Sequence, residues 1–321
     1  MTETSYYAQA SKELRRSLQS TLSKAMLRDL QRKQPLRHFI VLARMVALLA
    51  ASTAASASLD RWFEWLPCAV ISGFVLFGFT VMLHEVVHNA VFENGGAGNR
   101  ILSWLYAFPS GISHTQFRRW HLDHHAQLGD GSADPKRHHL SPKRNARWLK
   151  ALYFTPALFI IYFRAAARET ATYSHEVRAR IRFERVVTVA GQLAILASVI
   201  ALAGLWIAFK VYVVPYFLVF PVAFAMNRLG QHYDVDSNDP AKWSTLMAPS
   251  RFWDFAFLWS SHHLEHHYFP SVPFYNLSRL HESLRPFCTE RGMTPKTYRR
   301  LLWEWLVLNR TPHSNWASSL P

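Results

Sequence analysis

From Val186 to Phe209 the chain runs 24 residues without a charged side chain, and after Lys210 alone it runs another 17, from Val211 to Asn227. About 20 apolar residues cross the hydrocarbon core of a bilayer, where every backbone polar group must find its partner within a helix or a closed barrel. The two runs therefore read as a helical hairpin turning tightly at Lys210. Leu66 to Leu83 is a further uncharged run of 18 residues, and the stretch from His38 to Leu59 is broken only by Arg44. Together they predict a first hairpin that turns near Arg61. Ile101–Phe117 is uncharged but carries Pro109 and Gly111, and Ala151–Phe163 is too short to span, so both are expected to be interfacial or re-entrant.

Charge gives the expected orientation. Eight Lys/Arg fall within residues 1–37, and 84–185 and 232–321 are also rich in them, whereas the two turns hold only Arg61 and Lys210. The positive-inside rule then puts both termini and the long central segment in the cytoplasm. With 36 Lys+Arg against 21 Asp+Glu the net charge is +15. Anionic headgroups and cytosol account for that surplus, so no nucleic-acid partner is expected. The first 35 residues lack an apolar signal core. Leu14, Leu18, Leu22, Met26 and Leu30 recur at i+4 among basic residues, which fits an amphipathic helix lying on the membrane or one packed on the protein.

The expected architecture is an all-α integral membrane protein with about four transmembrane helices in two hairpins under a cytoplasmic cap. It is one integrated domain, 1–321. Residues 1–35 form the amphipathic segment, 36–83 the first hairpin, 84–185 a cytoplasmic segment, 186–230 the second hairpin and 231–321 a second cytoplasmic segment.

Histidines carry the chemistry. His84-Glu-Val-Val-His88, His121-Leu-Asp-His124-His125 and His263-Leu-Glu-His266-His267 hold eight of the 17 histidines. On a helix, residues i, i+3 and i+4 share a face, so each box can aim its imidazoles at one point. Eight imidazoles exceed the four ligands of one tetrahedral zinc and suit two metals, and imidazole itself accepts zinc, copper, iron or nickel. With two cysteines in the chain, a cysteine-ligated ribbon or cluster is excluded. Asp123 and Glu265 occupy the same slot in their boxes and are candidate partners that orient ligand histidines. His38, His138, His139, His175, His281 and His313 are expected to be hydrogen-bonded or solvated. His84-Glu85-x-x-His88 alone also matches a zinc protease, with Glu85 as base, but that reading leaves the other two boxes unexplained.

The order and spacing of these boxes between two membrane hairpins resemble the membrane fatty acid desaturase and hydroxylase superfamily over roughly residues 36–285. The flanks Phe117-Arg-Arg-Trp-His-Leu-Asp-His-His125 and His262-His-Leu-Glu-His-His-Tyr-Phe-Pro270 are most similar to acyl-lipid and sphingolipid-type desaturases. The resemblance implies two iron ions (Fe2+/Fe3+) held almost wholly by histidine: His84, His88, His121, His124, His125, His263, His266 and His267, with His232 as a further ligand. Asn227 is a candidate contact through water and His262 a supporting residue; Asp134 and Asp234 are weaker candidates for orienting ligands.

The implied reaction uses O2 as co-substrate on the acyl chain of a fatty acid or lipid. Two hydrogens lost give a double bond; oxygen returned to carbon gives an alcohol; loss of CO2 from a free acid gives a terminal alkene. Desaturation is the expected outcome. Phe117, Trp120, Trp253, Phe257, Trp259, Tyr268 and Phe269 are candidate walls for the chain, and Arg118 and Arg119 either meet an acyl carboxylate or face headgroups. No cytochrome b5 motif, cysteine-held cluster or Gly-x-Gly-x-x-Gly fingerprint is present. Electrons are therefore expected from a separate ferredoxin, rubredoxin or cytochrome b5 with its reductase. A metal transporter working by histidine relays is the remaining alternative, and it lacks ionisable residues within the 186–209 span.

Overall fold

The computed structural model describes residues 5–93, 95–135, 142 and 144–313. Short helices α1 (Tyr6–Ala10), α2 (Lys12–Thr21) and α3 (Lys24–Leu30) lead into the long α4 (Pro35–Ser58) and α5 (Trp62–Val87). Next come α6 (Gly96–Ala107), α7 (His114–Gln127), α8 (Arg147–Leu152), α9 (Ala157–Ala171) and the long α10 (His175–Ala208). Turns of π-helix over Phe209–Val219 run into α11 (Phe220–His232). Beyond it lie α12 (Arg251–Ala256), α13 (His263–Tyr268), α14 (Leu277–Glu290) and α15 (Tyr298–Leu302). Among the described residues the only β pairing is an isolated bridge between Met247 and Lys296.

Three helical stretches are long and apolar enough to cross a membrane: Lys24–Ser58, Trp62–Val87 and His175–His232. The expected spans at 38–59 and 66–83 fall almost wholly in α4 and within α5. Pro35 stands at the first position of α4, where its missing N–H costs nothing. Leu193, Ile195, Leu202 and Leu205 on α10 are exposed, an apolar face suited to lipid rather than water. The two doubtful stretches behave as their Pro and Gly foretell. Ile101–Phe117 breaks between α6 and α7, with Gly111 at φ 70°, and Ala151–Phe163 breaks between α8 and α9.

The turn of the second apolar stretch lies at Gly204 rather than at Lys210. Gly204 takes φ 84° and ψ 169°, a conformation that a side chain would resist. The Tyr212 hydroxyl donates to Gln192 Oε1 at 2.9 Å across 20 residues, whereas a straight helix would separate them by about 30 Å. Lys210 instead lies buried in the π-helical turns that follow the reversal, with Nζ donating to the carbonyls of Ala57 at 3.2 Å and Leu59 at 2.8 Å. Those carbonyls end α4, where no helical partner remains for them. A lone charge looked like a turn and proves to be a cap for the neighbouring hairpin.

The N-terminal helices pack on the protein. Leu14, Leu18, Leu22 and Leu30 are buried in the main core, and only Met26 of the repeat turns outward. α1 lies against α7 and α2 against α14, and Asn276 Nδ2 donates to the Leu30 carbonyl at 2.8 Å.

Gly73 marks the closest approach of α5 to the returning segment. A Cβ there would lie 2.4 Å from Val219 Cβ and 2.9 Å from the Pro215 carbonyl oxygen. Gly73→Ala is therefore expected to destabilise by about 1–3 kcal/mol through overpacking, read as a lower Tm in detergent. An unchanged Tm would show that this crossing yields easily.

Candidate metal centre

Each box arrives on a helix end. His84 and His88 sit one turn apart at the C-terminus of α5; His121, His124 and His125 share a face of α7; His263, His266 and His267 form half of α13. α7 is anchored at its start. Ser113 caps it by accepting from Gln116 N at 3.1 Å, and the buried Glu184 carboxylate of α10 accepts from Ser113 Oγ at 2.6 Å and from Thr115 N at 2.9 Å. The approach to α13 is strained: Leu258 and Trp259 take φ 49° and 59°, a left-handed conformation costing bulky residues about 1–3 kcal/mol each. Hydrogen bonds from Trp259 N to Asp254 O and from His262 N to Trp259 O, both 3.0 Å, hold it there.

Nine of the sequence candidates come together in two groups, in each of which the possible ligand atoms lie within 4.8 Å of one another. One holds His84, His88, His121, His125 and His266, and the other holds His124, His232, His263 and His267. In the second group the Nε2 atom of His232 is 3.1 Å from those of His124 and His263 and 3.3 Å from that of His267. In the first, His88 and His121 approach to 2.6 Å and His125 and His266 to 3.0 Å.

These separations test whether metal fits. His232 Nδ1 is 2.9 Å from the Trp243 carbonyl, which can only accept, so Nδ1 carries the proton and Nε2 a lone pair. His124 Nδ1 lies 2.8 Å from Asp134 Oδ1, which fixes the same tautomer. Two lone pairs then face each other at 3.1 Å, an arrangement that requires a cation between them. In the other group, burial and then the neighbouring imidazoles led by His267 hold His125 well below the usual histidine range, which disfavours its charged form. Imidazole nitrogens at about 2.0–2.1 Å from a shared metal would lie roughly 3.4 Å apart in a tetrahedral arrangement, close to the 3.1 and 3.3 Å of the second group and longer than the 2.6 Å between His88 and His121. The donor set fits a metal site.

The other candidates fall elsewhere. Asp123 accepts from the Tyr173 hydroxyl at 3.1 Å, so the carboxylate on a box-2 histidine is Asp134. Glu265 pairs with His281 Nδ1 at 2.5 Å. Burial lowers the His281 pKa, but the hydrogen bond and charge of Glu265 outweigh it and the net direction is up. His262 joins Glu265 and His281 in a third buried group, with Nε2 3.2 Å from Asp254 Oδ1 and from Ser278 Oγ. Asn227 donates to Ser260 Oγ at 2.6 Å and accepts from Gln231 at 2.9 Å. Asp234 reaches Lys296 at 3.3 Å. Of the lone histidines, His38 meets the Tyr106 hydroxyl at 2.8 Å, His175 is exposed and His313 is buried; His138 and His139 lie outside the described residues. The Trp243 carbonyl had no signal in the sequence, because it reaches His232 through a loop; His281 is hydrogen-bonded as expected, though its partner Glu265 was not foreseen.

A cavity opens onto His84, His121, His263 and His266 between Phe77, Val81, Phe117 and Phe224. It adjoins a second, mostly apolar cavity of about 220 Å³ lined by Leu158, Phe159, Phe217 and Phe220 together with Gln192, Tyr212 and Tyr216. Phe117, Tyr162, Phe224 and Thr80 are common to both. Of the seven aromatics proposed as walls, Phe117 and Trp120 line it, whereas Trp253 stacks on Phe257 at 5.0 Å in the core. Arg118 and Arg119 are exposed.

This arrangement matches what comparison with known proteins gives: the fatty acid desaturase family covers residues 60–299. The chain belongs to the fatty acid desaturase family. It is 25% identical over 293 residues to the sphingolipid delta(4)-desaturase/C4-monooxygenase of Homo sapiens, covering 87% of this chain and 83% of that one. It is 27% identical over 259 residues to the dihydrorhizobitoxine desaturase of Bradyrhizobium elkanii, covering 75% and 73%. It is 23% identical over 289 residues to a chloroplastic, ferredoxin-linked sn-2 acyl-lipid omega-3 desaturase of Helianthus annuus, covering 82% and 65%. The protein is thus an oxidoreductase of this family, and the protease and transporter readings fall away.

Asp134→Asn is expected to weaken metal retention about 10–100-fold, measured by metal analysis after graded chelation. Asp123→Asn, whose carboxylate faces Tyr173, should leave retention unchanged; the reverse order would mean that the Asp134 contact does not support the site.

Proposed function

We propose that this desaturase-family enzyme uses a di-iron site held by His84, His88, His121, His125 and His266 on one side and His124, His232, His263 and His267 on the other. Its substrate is an acyl chain lying in the cavity between Phe117 and Phe224, and its main product is the alkene. The observation that carries this reading is the continuity of that apolar cavity with the histidines of both groups. Iron bound there would supply O2 reduction and the oxidising power to take hydrogen from an unactivated C–H bond.

The protein's own residues do the rest. Phe77, Phe117 and Phe224 hold the chain and keep water from it, and strict placement decides which carbon meets the metals. Asp134 and the Trp243 carbonyl keep the Nδ1 protons of His124 and His232 in place, so that Nε2 stays a ligand. Hydroxylation is the second reading, and the human relative's name, which joins desaturase to C4-monooxygenase, favours it over decarboxylation.

The same reading gives four crossings in two hairpins with the boxes and both termini cytoplasmic. Lys210 bonds to the carbonyls of Ala57 and Leu59, and the rings of Trp65 and Trp206 lie 5.9 Å apart. Those contacts support a common end for both hairpin tips, opposite the histidines at the far ends of α5 and α11. The cytoplasmic side follows from the basic residues. A tag on either terminus should resist protease in sealed, right-side-out cells, and its digestion would invert the orientation.

Mass spectrometry of lipids and free acids from cells expressing wild type or His266→Ala, with a redox partner supplied, tests the chemistry. The wild type is expected to give a product two mass units lighter, lost in His266→Ala together with iron. A product sixteen units heavier would mean hydroxylation, and full activity in the variant would sink the proposed site.

A further inference from the structure

The four residues that line both cavities, Thr80, Phe117, Tyr162 and Phe224, form the waist at which the two meet. Thr80 and Tyr162 carry hydroxyls. At the far end of the second cavity the polar groups are paired within the protein: Tyr212 donates to Gln192, Gln192 Nε2 donates to the Phe108 carbonyl at 2.7 Å, and the Tyr216 hydroxyl donates to the Pro109 carbonyl at 2.8 Å. At the metal end of the first, Gln231 bonds to Asn227 and Asn227 to Ser260.

The waist differs. Ser110 Oγ donates to the Tyr106 carbonyl at 3.0 Å, and a carbonyl can only accept. Ser110 has one proton, so at its 3.1 Å contact with Thr80 it accepts, and Thr80 Oγ1 is left on the cavity wall with lone pairs only. The Tyr162 hydroxyl has no hydrogen-bond partner among the described residues, while its ring packs on Trp120 at 5.4 Å and on Phe224 at 6.3 Å. The waist thus offers one acceptor and one donor, the complement of an alcohol. A donor left unpaired in a dry channel costs about 1–3 kcal/mol, which an occupant that pairs with it recovers.

Its distance from the histidines is set by two helices. Thr80 precedes His84 on α5 and Phe117 precedes His121 on α7 by one helical turn, about 6 Å in each case. The Phe117 ring stacks on His121 at 5.8 Å with planes 3° from parallel. An oxygen held at the waist is therefore a few carbons from those that meet the first histidine group. We propose that the waist is a subsite for a hydroxyl on the substrate chain, accepting from Tyr162 and donating to Thr80 Oγ1, and that the enzyme acts on acyl chains already oxygenated near the carbons it oxidises. The proposal rests on the acyl-chain reading of the cavity and adds a substrate class to it. Ligand pockets of this kind are mostly apolar, with a few placed polar groups that fix orientation. A site built to bond a hydroxyl discriminates against the chain that lacks one, because its own polar groups are then left unpaired. Bonded at the waist, the chain cannot slide along the cavity, so the carbon presented to the metals is counted from the hydroxyl.

Calorimetric titration of the full, detergent-solubilised, iron-loaded protein with octadecanoic acid and with a set of its monohydroxy positional isomers tests this. Wild type is expected to bind at least one isomer about tenfold or more tightly than the plain acid. Tyr162→Phe and Thr80→Val each delete one bond and nearly keep the shape, and each should bring that ratio below about threefold. The ratio is taken within each protein, so a general loss of affinity does not move it; if one variant fails to fold, the other decides. No isomer bound more tightly than the plain acid would make the waist a water site and overturn the proposal, as would a ratio that survives in the variants. Wild type that holds iron yet binds neither the plain acid nor any isomer would overturn the acyl-chain reading itself, and the subsite with it.

Discussion

Imidazole lone pairs that face one another in a place water cannot reach are the constraint on which this structure turns. Left alone they repel; a cation among them would tie distant parts of the chain together. His84 and His88 come from α5, His124 and its neighbours from α7, His232 from α11 and the third set from α13. Segments more than a hundred residues apart, such as His124 and His232, meet at 3.1 Å. The surrounding architecture can be understood as what holds four helix ends at one point: Glu184 under α7, Asp134 and the Trp243 carbonyl behind the rings, and a strained turn before α13.

The boxes were legible in the sequence because helical periodicity is local. An i, i+3, i+4 pattern fixes which face the rings share whatever the rest of the chain does. Their supports were legible only in part, Asp134 as a weak candidate and the Trp243 carbonyl not at all, since a hydrogen bond between elements depends on how loops return. Asp123 has the sequence position expected of an orienting carboxylate, yet it points to Tyr173, while Asp134, ten residues after His124, folds back onto it. Glu265 occupies the equivalent slot in its box and turns to His281 of α14 instead. Identical slots in two boxes thus meet different partners, because α7 and α13 have different neighbours.

The apolar runs were legible for a similar reason, and the turn between them was not. Bilayer thickness fixes length, so α4 and α5 lie almost where composition puts them. Within the later stretch the single charge, Lys210, seemed the natural place for a bend. The bend follows backbone conformation instead: Gly204 can take φ 84°, and once the chain has reversed there, Lys210 comes within reach of the carbonyls that end α4. A buried lysine beside unpaired carbonyls is easier to accommodate than a solvated lysine is to insert, because the helix end supplies acceptors that lipid lacks.

Such a site must also solve a problem of access. The acyl chain needs a dry, apolar approach, whereas the ligand rings need fixed hydrogen-bond partners behind them. The two histidine groups face these demands unequally. His84, His121 and His266 of one group open on the cavity, while His232 of the other is bonded to Trp243 on the side away from it. His263 belongs to the second group and still lines the cavity, so the two are not insulated from each other. The N-terminal helices serve the second demand: they carry Tyr6 and Tyr7 onto the indole of Trp243, and the carbonyl of that same residue holds His232.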